Sequence, residues 1–312
     1  MIKTAILFFW LLWGHFLYGM EEVESFGNNP GNLRMHIHVP DNLDGIIPLV
    51  VALHGCSQNA NELAEQSGWN KLADRYHFIV LYPEQKRSNN VSNCFNWFNS
   101  KDHGGDRGEY ASIRSMIDEL VLRYEIDVNR IFTYGLSAGA AMANSLMANE
   151  PSYFNAGAIF AGGPHGSAVN AFQGMKVMMN PEDRSPEEWG GFVKREEEGR
   201  VPRVIIVHGT KDNVVHIQNA NELIDQWSYL HEIDNRSDEI LQAFLGNPAV
   251  HRYAHLKDGR EVVVFYKLQG VGHRLAVNPG NGDMEGGETG LFAVDIDFFS
   301  TYFVARDFGL IE

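Results

Sequence analysis

One pentapeptide constrains the fold of this chain more than any other feature. Gly135-Leu136-Ser137-Ala138-Gly139 joins two runs of opposite character. Before it, Arg130 to Tyr134 is rich in Ile, Phe, Thr and Tyr and free of Gly and Pro, as a buried strand is. After it, a run of small helix formers from Ala138 carries Met142 and Leu146 one turn apart. A G-x-S-x-G between strand and helix is a nucleophile elbow, a turn so tight that the serine is held in a strained conformation with its hydroxyl clear of the sheet. The glycines are required because a side chain at either place would strike the neighbouring strand or helix. With 31 glycines in the chain the bare pattern would be weak, so the strand before it and the helix after it carry the reading.

The rest of the chain supplies a sheet for that turn. Leu33–Val39 alternates apolar and polar residues, Ile46–Leu53 is continuously apolar as a central strand is, and His77–Tyr82, Ala156–Phe160, Val204–Val207 and Glu261–Leu268 follow. Helical spacing recurs between them over Asn61–Tyr76, Glu109–Tyr124 and Gln218–Tyr229, and a last helix is expected from about Leu291 to Val304. This alternation predicts an α/β fold, a mostly parallel central sheet with helices on both faces. No internal repeat or linker breaks the chain, so residues 21–312 read as a single catalytic domain. Residues 163–202, with Met175, Met178, Met179, Trp189, Phe192 and a charged run at Lys194–Gly199, read equally as a small cap or as a surface helix and loop. His36 and His38 share a strand face without a third ligand nearby, and the glycine-rich acidic loop at 278–289 fits neither a phosphate cradle nor a calcium loop. No metal or organic cofactor is expected.

A serine hydroxyl needs a base, and the base an orienting acid. The order Ser…Asp…His along a chain is that of the α/β-hydrolase fold. Here Asp212, in His208-Gly-Thr-Lys-Asp212, and His273, in Gly270-Val-Gly-His273, each lie just past a predicted strand. Parallel strands end on one edge, where ligands of such folds bind. Ser137, Asp212 and His273 are therefore the expected catalytic residues. Asp283 and Asp295 are rival acids that follow no strand so directly; His251 and His255 are rival bases that precede the last strand. The oxyanion would be held by the backbone N–H of Ala138 and by one from the loop His54-Gly55-Cys56-Ser57-Gln58, provisionally that of Cys56, with His54 as a prop. Phe95, Trp97 and Phe98 either line a cleft or pack as a loop core; Trp97 and Ser57 are the candidates for substrate contact.

Composition bounds the setting. A formal charge of −15 argues against nucleic acid and anionic membrane as partners. Residues 1–20 have a single basic residue, Lys3, then an apolar run interrupted at Gly14-His15 and a small residue at Gly19, the parts of a signal peptide cleaved near Gly19 or Met20. A retained anchor helix is the competing reading. The expected location is secreted or periplasmic, without stable membrane association after cleavage. Cys56 and Cys94, the only two cysteines, are a candidate disulfide in that setting, with two buried thiols as the alternative.

The segments HGCSQNANELAEQSGWNKLADRYHFIVLYPE, NCFNWF, DVNRIFTYGLSAGAAMA and HGTKDNVV together resemble the polyhydroxybutyrate-depolymerase-like esterases, secreted α/β-hydrolases that include feruloyl and acetylxylan esterases. The resemblance runs from about Leu33 to His273. It implies the triad Ser137, Asp212 and His273, a Cys56 oxyanion donor and a Cys56–Cys94 link. One departure is that family members commonly follow the histidine with Trp-Pro-Gly, whereas this chain reads His273-Arg-Leu-Ala-Val-Asn-Pro-Gly280. The activity expected is hydrolysis of polyhydroxyalkanoate (3-hydroxybutyrate) oligomers or related short-acyl esters through an acyl-enzyme. The alternatives are a feruloyl or acetylxylan esterase acting on an acylated saccharide and, from another class, a non-catalytic binding protein on the same scaffold.

Overall fold

A computed structural model of the protein describes residues 19–99, 105–195 and 199–311. The expected signal peptide lies almost wholly outside the described residues, as do parts of the Asp102–Asp106 segment and of the charged run before Gly199. The strands are β1 (Glu21–Val23), β2 (Arg34–His38), β3 (Ile47–Leu53), β4 (Ile79–Glu84), β5 (Ile126–Leu136), β6 (Ala156–Phe160), β7 (Arg203–Gly209), β8 (Glu239–Leu241), β9 (Val250–Lys257), β10 (Arg260–Leu268), β11 (Leu275–Val277) and β12 (Ala293–Asp295). The α-helices are α1 (Ala60–Ser67), α2 (Trp69–Tyr76), α3 (Gly108–Arg123), α4 (Ala138–Asn149), α5 (Ala171–Met179), α6 (Pro186–Gly190), α7 (Gln218–His231) and α8 (Ser300–Phe308).

Ten strands form one sheet in the order β1-β2-β4-β3-β5-β6-β7-β10-β9-β8. The six from β4 to β10 run parallel, and antiparallel pairs close both borders. β3 explains why helices cover both faces. Every residue of it is buried, and successive side chains point to opposite layers. Leu49, Val51 and Leu53 join the stripe of α3 (Ile113, Met116, Ile117, Leu120), Met142 and Leu146 of α4, and Leu223 and Trp227 of α7. Val50 and Ala52 join Leu63 and Trp69 beneath α1 and α2, and Phe303, Val304 and Phe308 of α8. Trp69 anchors the second layer, meeting Phe78 and Tyr134 edge-on and stacking on Phe308.

Several elements differ from expectation. The helix expected over Asn61–Tyr76 is two, broken at Gly68, whose φ of 69° lies in the left-handed region and whose hydrogen faces Gly287 and Phe299. The last helix starts at Ser300, not near Leu291. Ala293–Asp295 pairs instead with β11, and the Asp295 carboxylate then accepts from the Asp297 N–H, a local turn that competes with helix. β9 and the short β8 were not anticipated, because inward-facing Arg252 makes β9 look polar on both faces. In place of the Trp-Pro-Gly of the esterases this chain resembles, β11 buries Leu275, Ala276 and Val277. The glycine-rich loop after it is tied down by Lys71, whose ammonium donates to the carbonyls of Gly280, Gly282 and Glu285.

Candidate active site

Register sets the rim. Leu53 pairs with Gly135, Leu136 with Phe160, Phe160 with Val207, and Leu268 with Gly209, so β3, β5, β6, β7 and β10 all end at one level. Cys56, Ser137, Asp212 and His273 lie on segments that leave the sheet there.

Ser137 stands between β5 and α4 with φ 57° and ψ −120°, a conformation that costs a non-glycine residue about 1–3 kcal/mol. Its own N–H, donated to the Phe160 carbonyl at 2.8 Å, and the packed layers on both sides hold it there. A Cβ on Gly135 would enter the backbone of Gly139 and Ala140, and one on Gly139 would enter the carbonyls of Leu53 and His54. Strand and helix approach so closely that neither position accepts a side chain. Ala138 is the first residue of α4, so its N–H has no acceptor within the helix.

The loop after β3 passes beside this turn. A Cβ on Gly55 would lie 3.5 Å from that of Ser137. His54 is fully buried and fully bonded, its Nδ1–H donating to Gly55 O at 2.8 Å and its Nε2 accepting from the Gln85 N–H at 3.0 Å. Burial pushes its pKa down to about 4, and the bond to Gly55 only partly offsets that. His54 is thus a neutral prop. Gln58 closes the loop by accepting from the Gly55 N–H at 2.9 Å. Ser57, exposed and with φ 64°, donates its N–H to Ser92 O. A disulfide joins Cys56 to Cys94, with Cα atoms 4.2 Å apart, so the loop after β3 is fastened to the aromatic loop. Among the described residues the Cys56 N–H has no acceptor. Trp97 is buried against Phe98 and faces Gly174 of α5. The described residues of 163–202 fold as α5, α6 and loops, and α5 runs from this aromatic loop to the segment after Asp212, where the His216 N–H donates to Met178 O.

The loops after β7 and β10 are laced together. Thr210 N–H donates to Leu268 O, Lys211 N–H to Val271 O, and Gly270 N–H to Thr210 Oγ1, each at 2.9 Å. A Cβ on Gly209 would collide with the carbonyls of Val271 and Gly272. This lacing brings Asp212 and His273 together, Nδ1 to Oδ2 at 2.7 Å. Asp212 Oδ1 accepts from the N–H groups of Val214 and Val215, both at 2.8 Å. The buried His208 places Nε2 3.4 Å from Oδ2 while donating to Val215 O at 2.9 Å. Burial alone would raise the Asp212 pKa; the hydrogen bonds from His208 and His273 more than reverse this and hold the carboxyl well below the usual range. With Nδ1–H turned to Asp212, the Nε2 of His273 is left as an acceptor, the protonation state a general base needs. A cavity of about 470 Å³ opens beside His273, lined also by Val214, Arg274 and Leu291. The rivals stand elsewhere: His255 is bonded to Ser237 on the antiparallel border, and Asp283 pairs with Arg75.

Two buried residues of the site carried no signal in the motif reading. His208 was visible only as the residue four before Asp212 at a strand end, and Gln58 only as the last residue of the His-Gly-Cys-Ser-Gln run.

A parallel sheet with helices on both faces, a serine in a strained strand-to-helix turn and a His–Asp pair on the same rim define an α/β-hydrolase. A family profile described as Esterase PHB depolymerase matches residues 36–238, and the chain belongs to that family of esterases. It is 36% identical to a poly(3-hydroxyalkanoate) depolymerase C of Paucimonas lemoignei, over 95% of this chain and 71% of that one. It is 33% identical to a feruloyl esterase B of Thermothelomyces thermophilus, over 83% and 89%. Among solved structures, an acetyl xylan esterase from Aspergillus awamori superposes with a TM-score of 0.74 at 25% identity, covering 82% of this chain and 94% of that one.

Proposed function

We propose that this protein is an exported serine esterase that cleaves carboxylic esters through an acyl-enzyme. Ser137 Oγ attacks the acyl carbonyl while His273 Nε2 takes its proton and returns it to the leaving alcohol. Asp212 keeps Nδ1–H pointed inward and stabilises the imidazolium. The N–H groups of Ala138 and Cys56 receive the oxyanion, and loss of one such donor costs about 3 kcal/mol in the transition state. Water activated by His273 then releases the acid. The observation that carries this reading is the 2.7 Å His273–Asp212 bond on the rim where Ser137 sits in its strained turn.

For the substrate, the relatives named as feruloyl and acetylxylan esterases, together with the acetyl xylan esterase structure, favour acetylated or feruloylated polysaccharide. The depolymerase relative supports a second reading, hydroxyalkanoate oligomers. Export accords with the disulfide and with the leader-like residues 1–20. Among the described residues no helix is long and apolar enough to cross a membrane.

A fluorophosphonate probe should label the wild-type protein and not Ser137→Ala. Labelling of neither would leave the non-catalytic alternative standing. Release of acetate or ferulate from xylo-oligosaccharides, measured beside release of 3-hydroxybutyrate from its oligomers, separates the two substrate readings.

A further inference from the structure

A concavity of about 650 Å³ lies on the same rim, on the far side of the oxyanion loop from Ser137. Arg34 and His36 of β2, Glu84 at the end of β4, Lys86 and Arg87 of the turn after it, and Asn93 beside Cys94 form its wall. Three permanent cations and one carboxylate, that of Glu84, thus line it, with Glu22 Oε1 also 3.8 Å from Arg34 Nε, in a chain whose formal charge is −15.

That carboxylate is already engaged. Glu84 accepts from Arg34 at 2.9 Å and from the Ala60 N–H at 3.0 Å. Lys86 Nζ donates to a neutral acceptor, Asn32 Oδ1, at 2.9 Å. Arg87 is exposed, and neither it nor Lys86 is paired with an acid among the described residues. His36 Nε2 lies 3.7 Å from Glu84 Oε2, so it too is turned to that carboxylate. Lys86 and Arg87 are thus charged donors at the hollow with no acid opposite them among the described residues, and such donors attract an anion with hydrogen-bonding oxygens.

Its distance from the reacting serine follows from the sheet. In the order β2-β4-β3-β5, with strands about 4.8 Å apart, the end of β4 and the start of the antiparallel β2 lie about 10 and 15 Å from the end of β5. An anionic group held there belongs to a part of the substrate remote from the cleaved bond, and so to an oligomer.

We propose that this concavity binds a carboxylate on the distal part of an oligomeric ester, making anionic oligomers better substrates than neutral ones. The proposal rests on the serine-esterase reading. The carboxylate has two sources: the terminal acid of a hydroxyacid oligoester, or a uronic acid on an acylated polysaccharide.

The test uses esters matched except for charge. A 3-hydroxybutyrate trimer with a free terminal carboxylate is compared with its terminal amide, and an acetylated xylo-oligosaccharide bearing a uronic acid with the corresponding uronamide. In one pair, kcat/KM of the wild-type protein should favour the acid by roughly fivefold, mainly through KM, and that pair identifies the source. The double substitution Lys86→Gln, Arg87→Gln should bring the ratio to one or below, while Lys86→Arg, Arg87→Lys should retain most of it. Net charge alone gives the opposite sign, because a chain at −15 repels anions. A wild-type ratio at or below one in both pairs overturns the proposal, and so does a preference that survives the Gln substitutions. Calorimetric titration of the same acids and amides into Ser137→Ala protein reads affinity without turnover. If no ester is hydrolysed, the esterase reading falls, and equal affinity for acid and amide in that titration rejects the concavity on its own.

Discussion

At Asp212 four donors surround one buried carboxylate: two backbone N–H groups, His273 and, at longer range, His208. Replacing it by Asn keeps the shape and removes the charge, and lets the amide donate where it must accept. Asp212→Asn should therefore lower kcat on a p-nitrophenyl ester by roughly 10⁴-fold through the wrong His273 tautomer. The same carboxyl links stability to pH. Its folded pKa lies below the unfolded value near 3.9, so its contribution is present above about pH 4 and is lost as pH falls through the folded value. The difference in melting temperature between wild type and Asp212→Asn should be full at neutral pH and close progressively below about pH 4; a constant difference would contradict the assignment. Ser137, Asp212 and His273 were legible because each follows a strand end, and chain order needs no coordinates. His208 and Gln58 were not, since what they do is satisfy buried partners, which depends on which loops meet.

Among the helices, α7 carries an uncompensated acid. Glu222 is buried, its Oε1 has no hydrogen-bond partner among the described residues, and burial with Asp225, Asp183 and Glu182 nearby pushes its pKa up to about 8 against the opposing charge of Arg184. The native state then holds a proton that the unfolded chain has released above about 4.5, so stability falls as pH rises from there to about 8. Glu222→Gln should melt higher than wild type, by a margin that widens from pH 5 to 8 and levels off above; thermal scans across that range decide it. The helices and strands that sequence reading found were those with one clear apolar period, such as α3, or an unbroken apolar run, such as β3. β9 was missed because Arg252 is turned inward, where it bonds to the Tyr266 hydroxyl and pairs with Glu261, and β8, β11 and β12 because three residues are too few to show a period. Periodicity counts a residue such as Arg252 on the wrong face.

For the molecule as a whole, the Cys56–Cys94 bond closes a segment whose ends are 38 residues apart. On the chain-entropy model such a closure stabilises the fold by about 4 kcal/mol. Cys56→Ser, Cys94→Ser should lose most of that in urea unfolding, and should lower kcat as well, because the same bond holds the loop carrying the Cys56 N–H; unchanged turnover would show that the loop is positioned by Gln58 and His54 alone. The pairing also bears on how the protein can be manufactured. A bacterial cytosol kept reducing by thioredoxin and glutathione would deliver chains with two thiols and a slack loop, so the active fraction of a preparation should track the oxidising power of the expression compartment rather than the total yield.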